Sequence, residues 1–307
     1  MKRLPLILII LTAVFSVAQT PPDSAAAWTA RAAGDYWVHP DRVYGVANNY
    51  QLKLDVWQQH NAKEPLPTVI YIHGGGWIWG DRTGAVPQLL PYLQKGWNAV
   101  NVEYRMASVS LAPAAVEDTR CALRWVIQNA KQYNIDPNRL VLTGHSAGGH
   151  LSLITGMLAP SAGLDANCPG TEPLKVAAIV NWFGISDVND LLSGPNYKNY
   201  AEMWLGSQTN RAEIARRVSP LTYVRAGLPP VLSIHGDADD VVPYSQATRL
   251  HAALEKAGVP NKLITVPGGK HGDFNPAQYE QLYNDIFSFL SKYLSPGRNT
   301  NQVEPKR

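Results

Sequence analysis

The most informative stretch of this sequence is Thr143-Gly144-His145-Ser146-Ala147-Gly148-Gly149-His150. The apolar run 139–143 precedes the turn and a small-residue helical pattern follows it. This order predicts a strand, a sharp turn and a helix, with Ser146 at the apex. Small residues at 144 and 148 let the strand and helix approach closely while the serine takes a strained conformation. A G-x-S-x-G pattern alone also fits an ordinary glycine-rich turn, so a nucleophile needs support from other segments.

The composition indicates a globular protein without a nucleic-acid partner. The chain has 307 residues, of which 45% are hydrophobic and 17% are charged, and its formal net charge is +3. No run of basic residues of the kind that binds nucleic acid occurs in it. This length is compatible with two domains, but α/β folds often reach it as a single domain.

The N-terminal residues 1–18 resemble a secretory signal peptide. Lys2 and Arg3 provide a charged start, an apolar stretch follows, and Ser16-Val17-Ala18 is a small-x-small cleavage pattern. The apolar stretch is shorter than the about 20 residues that a membrane span needs, although an uncleaved anchor is the alternative. We therefore expect a secreted or periplasmic protein with no stable membrane span after processing. Residues 19–41 are predicted to be a loose leader and residues 295–307 a polar tail.

The two cysteines are Cys121 and Cys168. An exported protein can form a disulfide between them, but their spacing alone cannot establish one. Two buried free thiols are the alternative.

Residues 42–294 predict one α/β domain. A hairpin over 43–57 is followed by apolar strands that alternate with helices. The strands are expected at 67–72, 97–103, 139–143, 176–182, 230–234 and 261–266, and the helices at 84–95, 113–134, 244–257 and 276–293. This alternation predicts a mostly parallel central sheet with helices on both faces. Residues 185–228 hold only short helical pieces and are interpreted as a partial lid.

Glycines also follow the strand at 67–72, in His73-Gly74-Gly75-Gly76-Trp77. Consecutive glycines let backbone N–H groups converge on one oxygen, as a developing oxyanion requires. A phosphate cradle is disfavoured because no Lys-Ser/Thr follows, and a simple turn is the remaining alternative.

An acid and a base are expected at two later strand ends. The segment 235–243 contains three aspartates, Asp237, Asp239 and Asp240, and the loop after the last strand contains His271. The resulting chain order of serine, acid and histidine is typical of hydrolase folds. His251 has the right position in the order but lies in a helical pattern, and we interpret it as a surface residue. The histidines in the supporting loops are interpreted as structural: His73, His145, His150 and His235.

These motifs resemble the α/β-hydrolase superfamily, in its esterase/lipase branch with the H-G-G-G motif. The resemblance covers about residues 42–294. It implies Ser146 as nucleophile and His271 as general base. The spacing His-Gly-x-x-Asp implies Asp239 as the orienting acid rather than its aspartate neighbours, with Asp187 as an outside candidate.

The same resemblance implies that the oxyanion hole consists of the backbone N–H groups of Gly75, Gly76 and Ala147. In some relatives the donor is shifted by one residue, which would bring in Trp77.

The resemblance implies a serine carboxylesterase acting on small acyl or carbohydrate-linked esters, such as acetyl or feruloyl esters. No cofactor or metal is expected, because the chain has neither an H-E-x-x-H motif nor paired C-x-x-C motifs. Two alternatives stay open: a serine amidase or peptidase of the same fold, similar to arylformamidases or dipeptidyl peptidases, and a non-catalytic binding protein. Tryptophans near the site either stack on substrate rings or pack the lid: Trp77, Trp79, Trp182 and Trp204.

Overall fold

In the computed structural model, residues 32–294 are described. The predicted signal peptide and polar tail lie outside them. The strands are β1 (Tyr36–Ala47), β2 (Tyr50–Gln59), β3 (Leu66–Ile72), β4 (Asn98–Val102), β5 (Ile135–His145), β6 (Ala178–Trp182), β7 (Val231–Gly236) and β8 (Asn261–Val266). The α-helices are α1 (Leu90–Gln94), α2 (Ala114–Gln128), α3 (Ala147–Met157), α4 (Asn199–Leu205), α5 (Arg211–Arg217), α6 (Ser245–Lys256) and α7 (Pro276–Ser291).

All eight strands form one sheet in the order β1-β2-β4-β3-β5-β6-β7-β8. The β1–β2 hairpin pairs antiparallel, and β2 also pairs antiparallel with β4. Every other neighbouring pair is parallel. The carboxyl ends of the parallel strands therefore share one edge of the sheet, which is where a doubly wound fold places its site.

Alternate residues of each central strand serve two different cores. In β3, Ile70 and Ile72 pack in the core that includes α2 and α3. Val69 and Tyr71 point into the opposite core, which includes α7. The apolar run of β3 is continuous because both faces of the sheet are covered.

The predicted leader extends too far along the chain. Residues 36–41, assigned to the leader, form the first half of β1 and pair with the end of β2. The register shifts between His39 and Arg42, where Asp41 has a φ of 56°. This irregularity breaks the alternation that would have marked the strand in the sequence.

Two predicted helices are shorter than expected. The helix expected at 84–95 is a 3₁₀ segment, Thr83–Leu89, followed by the five residues of α1. The helix expected at 113–134 ends at Gln128, and the amide of Asn129 then donates back to the carbonyl of Trp125. In the first segment, Pro87 prevents a continuous α-helix. In the second, the bond made by Asn129 ends the helix before the apolar residues of the pattern end.

The described residues between β6 and β7 form short helical pieces and no strand, as the sequence predicts for the segment 185–228. They include α4 and α5, which contact each other. Trp204 of α4 is fully buried and stacks on Trp77, with ring centroids 4.1 Å apart. This segment is therefore anchored against the glycine loop after β3.

A disulfide joins Cys121 in α2 to Cys168 in the loop after α3. It ties a core helix to the long connection that leads into β6. Across residues 32–294, no helix is both long and apolar enough to cross a lipid bilayer.

Candidate active site

Ser146 stands at the turn between β5 and α3, as predicted. Its φ and ψ are 55° and −119°, a conformation that non-glycine residues rarely adopt. Its N–H donates to the carbonyl of Trp182 at 2.9 Å, and its side chain is half-buried. The turn therefore presents the hydroxyl at the carboxyl edge of the sheet.

The glycines on either side of Ser146 are required by close backbone approach. A Cβ on Gly144 would stand 2.3 Å from the carbonyl oxygen of Ile72, and one on Gly148 would stand 2.0 Å from the same atom. Both contacts are far below van der Waals distance. A side chain at either position would therefore collide with the backbone of β3. The turn can lie this close to β3 only with glycine at 144 and 148.

His271 and Asp239 form a direct pair. Nδ1 of His271 lies 2.8 Å from Oδ2 of Asp239. The other carboxylate oxygen accepts hydrogen bonds from the N–H groups of Val241 and Val242, both at 2.9 Å. The Asp239 side chain is fully buried, whereas that of His271 is 19% exposed. This arrangement fixes the histidine ring while leaving it accessible from one side.

A second histidine contacts the same carboxylate. Nε2 of His235 lies 3.2 Å from Oδ2 of Asp239 and 2.9 Å from the carbonyl oxygen of Val242. Burial opposes ionisation of Asp239, but hydrogen bonds from His235 and His271 outweigh it and hold the pKa of this carboxyl well below its ordinary value. His235 was interpreted only as a structural residue. Its position four residues before Asp239 is a signal that could have identified it as the partner of the acid.

The other acids near the site have different partners. Asp187 pairs with Arg249 at 3.3 Å, and Asp237 accepts from the N–H of Gly268. Asp240 is exposed, and its backbone carbonyl accepts from Lys198. Of the candidate acids, Asp239 is the one that contacts His271.

The ring of Phe183, which follows β6, links the nucleophile turn to the histidine loop. Its centroid lies 4.6 Å from that of His271 and 5.2 Å from that of His145. Burial is the main cause that lowers the pKa of His145 to about 3, so this ring stays neutral at physiological pH. Phe183 therefore packs between the ring next to Ser146 and the ring of His271.

The glycine loop after β3 lies beside Ser146. A Cβ built on Gly74 would be 3.6 Å from Cβ of Ser146. Among the described residues, no protein acceptor takes the N–H groups of Gly75, Gly76 or Ala147. These donors are therefore available to an oxygen of a bound molecule. The N–H of Trp77 is equally available, so the shifted arrangement stays open.

A buried polar chain supports this loop. Nε1 of Trp77 donates to Nδ1 of His150 at 3.1 Å, and Nε2 of His150 lies 2.7 Å from the carbonyl oxygen of Val218. Burial lowers the pKa of His150 to about 4, which keeps the ring neutral and able to accept from Trp77. The chain joins the glycine loop to helix α3 and to the end of α5.

Two interpretations of aromatic and histidine side chains were wrong or incomplete. His251 lies in α6 as expected but is buried, and its Nδ1 contacts Oδ1 of Asn261 at 2.8 Å. It lies on the inner face of an amphipathic helix, and the identity of one residue does not show which face of the helix is buried.

The tryptophans near the site divide into two groups. Trp77, Trp182 and Trp204 are fully buried, whereas Trp79 is 69% exposed. Within residues 32–294, no group of three His, Cys, Asp or Glu side chains is placed to hold a metal ion.

Several solved structures similar to this chain are esterases. A truncated carbohydrate esterase from gut microbiota matches with a TM-score of 0.75 at 27% identity, over 85% of this chain and 97% of that one. The esterase Est2 of the Planctomycetes species Thermogutta terrifontis, with propionate bound, gives 0.70 at 27% identity, over 86% of this chain and 97% of that one. Est2 phosphorylated by paraoxon gives 0.69 at 27% identity, over 86% and 96%. These matches confirm the predicted α/β-hydrolase fold.

Sequence comparison points the same way. Esterase LipC of Mycobacterium tuberculosis is 30% identical over 243 residues, which are 77% of this chain but only 60% of LipC. A family model described as BD-FAE matches residues 54–254, more than half of the chain. This protein belongs to the BD-FAE family.

Proposed function

We propose that this protein is a serine carboxylesterase that cleaves esters of small acyl groups, including acyl groups carried on carbohydrates. The observation that carries the proposal is the contact of His271 with the buried Asp239 at 2.8 Å, at the same sheet edge as the strained Ser146 turn. In this assignment Ser146 is the nucleophile, His271 the general base and Asp239 the orienting acid.

The pair determines which nitrogen of His271 is free to act. Because Nδ1 donates to Asp239, the neutral ring has its lone pair on Nε2. Nε2 takes the proton of Ser146 as the serine oxygen attacks the ester carbonyl, and a tetrahedral oxyanion forms. His271 then gives that proton to the departing alkoxide, and the C–O bond of the ester breaks. Water attacks the acyl-serine by the same route, which releases the acid and restores the serine.

The oxyanion is assigned to the N–H groups of Gly75, Gly76 and Ala147, with Trp77 as the alternative donor. Removing one donor from such a site commonly costs about 3 kcal/mol, or roughly a hundredfold in rate. The buried contact between Trp77 and His150 supports this assignment, because it fixes the loop before substrate arrives.

Small acyl groups are favoured by two considerations. The described lid is short, with two helices of seven residues each, and one of them is anchored through a buried tryptophan. Est2, a similar enzyme, has been solved with propionate bound, and the gut microbial relative is a carbohydrate esterase.

The comparisons also support a reactive nucleophile. Est2 has been solved phosphorylated by paraoxon, a reagent that modifies such nucleophiles.

We also propose that the protein works outside the cytoplasm, in the periplasm or after secretion. The signal-like segment 1–18 and the Cys121–Cys168 disulfide support this location, since disulfides persist in oxidising compartments. Cell fractionation of the expressed full chain, with the N-terminus of the exported form read by mass spectrometry, tests it. Uncleaved protein confined to the cytoplasm would contradict it.

Activity is tested with p-nitrophenyl acetate, butyrate and palmitate, methyl ferulate, acetylated xylan and a p-nitroanilide. We expect hydrolysis of the short esters and covalent labelling by a fluorophosphonate probe, both of them lost in Ser146→Ala. Hydrolysis of the anilide without any ester would indicate an amidase instead. No hydrolysis of any substrate and no labelling would indicate a non-catalytic protein.

A further inference from the structure

Trp79 is the exposed member of the aromatic set around the glycine loop. Its relative exposure is 69%, whereas Trp77 and Trp204 are fully buried and stack on each other. A large apolar side chain left in water loses the stabilisation that burial would give it. The core and lid are therefore packed by the other tryptophans, and Trp79 is free to contact a ligand.

The backbone holds Trp79 against the proposed oxyanion loop. Its N–H donates to the carbonyl of Gly75 at 3.1 Å. A Cβ built on Gly75 would stand 3.4 Å from Cδ2 of the indole and 1.9 Å from the carbonyl oxygen of Trp79. The φ of Gly75 is 112°, so glycine is needed here for conformation as well as space. The indole thus lies directly beside the residue assigned to the oxyanion.

The neighbouring rim is also apolar. Tyr200 of α4 lies over Gly76, where a Cβ would be 3.1 Å from the tyrosine Cβ, and its hydroxyl donates to the carbonyl of Val241. Met203 of the same helix is 50% exposed and Val241 is 37% exposed. The glycine loop is therefore flanked by the exposed indole of Trp79 at Gly75 and by Tyr200 of α4 at Gly76.

We propose that Trp79 forms a stacking subsite for the sugar ring of the alcohol part of the ester. This inference rests on the proposed function and specifies its substrate class. A pyranose has one apolar C–H face and a polar rim, so it can lie on one exposed aromatic face while its hydroxyls stay in water. An aromatic acyl group would gain more from an enclosed slot, which an indole exposed to this extent does not provide.

The experiment compares two acetate esters that differ only in their alcohol. Wild-type enzyme, Trp79→Ala and Trp79→Phe are assayed on a monoacetate of methyl β-D-xylopyranoside and on ethyl acetate. The indole face can contact the sugar alcohol but has little to contact in ethanol. We therefore expect the ratio of kcat/KM on the sugar ester to that on ethyl acetate to fall roughly two- to tenfold in Trp79→Ala, mainly through KM. Phenylalanine should restore part of the ratio.

Trp37→Ala is the matched control. Trp37 is a 56% exposed tryptophan on the edge strand β1, where it stacks on His60. Its removal should leave the ratio unchanged. An equal loss on both esters in Trp79→Ala would overturn the subsite, because it would show that the indole acts only by packing the glycine loop. An unchanged ratio would overturn it as well.

A binding measurement separates this inference from the esterase assignment. In a Ser146→Ala background, xylotriose is titrated by calorimetry with and without Trp79→Ala. Weaker binding without the indole supports the subsite even if wild-type enzyme proves inactive on every ester. Equal binding in the two proteins, with wild-type esterase activity intact, would reject the subsite and leave the proposed function standing.

Discussion

Replacing Asp239 by asparagine tests the assigned mechanism most directly. One carboxylate oxygen accepts from the N–H groups of Val241 and Val242, and the other faces Nδ1 of His271 and Nε2 of His235. Asparagine has nearly the same shape but only one acceptor oxygen. If that oxygen faced the histidines, its amino group would meet two backbone donors. The oxygen therefore stays with Val241 and Val242, and the amino group turns toward the histidines.

This orientation reverses the tautomer of His271. Nδ1 must now accept a hydrogen bond from the amide, so the proton of the neutral ring moves to Nε2. Nε2 can then no longer take the proton of Ser146. Loss of the correct tautomer lowers kcat by about 10⁴-fold in serine hydrolases with such a triad, which corresponds to about 5 kcal/mol in the barrier. His235 also loses one of its two acceptors but keeps the carbonyl oxygen of Val242, so we expect the free energy of unfolding to fall by only about 1 kcal/mol.

The assay is steady-state hydrolysis of p-nitrophenyl acetate, with urea unfolding to confirm that the variant is folded. Asp240→Asn and Asp187→Asn are matched controls, because neither carboxylate contacts His271: Asp240 is exposed and Asp187 pairs with Arg249. Both should retain kcat within a few-fold of wild type. A folded Asp239→Asn that loses less than tenfold, or a larger loss in Asp187→Asn, would refute this assignment of the acid.

Three other predictions concern stability and the glycine loop. The double variant Cys121→Ser/Cys168→Ser should lower the free energy of unfolding by about 4 kcal/mol in urea titrations, since the bond closes a loop with a sequence separation of 47. His145 and His150 stay neutral in the fold, with pKa values of about 3 and about 4, so the unfolded chain binds more protons below pH 6.5. Stability measured by urea unfolding should therefore fall between about pH 6.5 and pH 4, by up to about 1.4 kcal/mol per pH unit for each histidine, and pH-independent stability would contradict this. Trp77→Phe leaves Nδ1 of His150 without its donor, so thermal melts should show a loss of about 1–3 kcal/mol, and kcat should fall as the loop loosens.

The placement of the candidate site residues could be predicted because these residues follow strand ends. Strand β5 leads into Ser146, and β3 leads into the glycine loop, so an apolar run followed by glycines places both at one edge of the sheet. The Asp239–His271 contact follows from the same logic, because β7 and β8 are parallel neighbours. In such a fold the order of short motifs along the chain carries three-dimensional information.

What the sequence did not predict depends on long-range packing. His251 and Trp182 are buried because their neighbours come from other elements, and neither residue type reveals its own burial. The pairing of Cys121 with Cys168 depends on where α2 meets the loop after α3. Residues 36–41 pair with β2 through an irregular register, which their own alternation does not show. These misses concern contacts between segments, whereas the two shortened helices are limited by local features, Pro87 and the bond from Asn129 to Trp125.

In this site the groups assigned to the reaction are held by buried contacts, whereas the residue proposed to select the substrate is exposed. The groups assigned to the reaction are held by buried partners: Asp239 by His235, and the glycine loop by the contact of Trp77 with His150. A substitution among them leaves a buried donor or acceptor unpaired, so it changes rate and stability together. Trp79 is exposed and is held through its backbone, so its side chain can change at little cost to the fold. Substrate preference can therefore be altered at this position without disturbing the groups that carry the reaction.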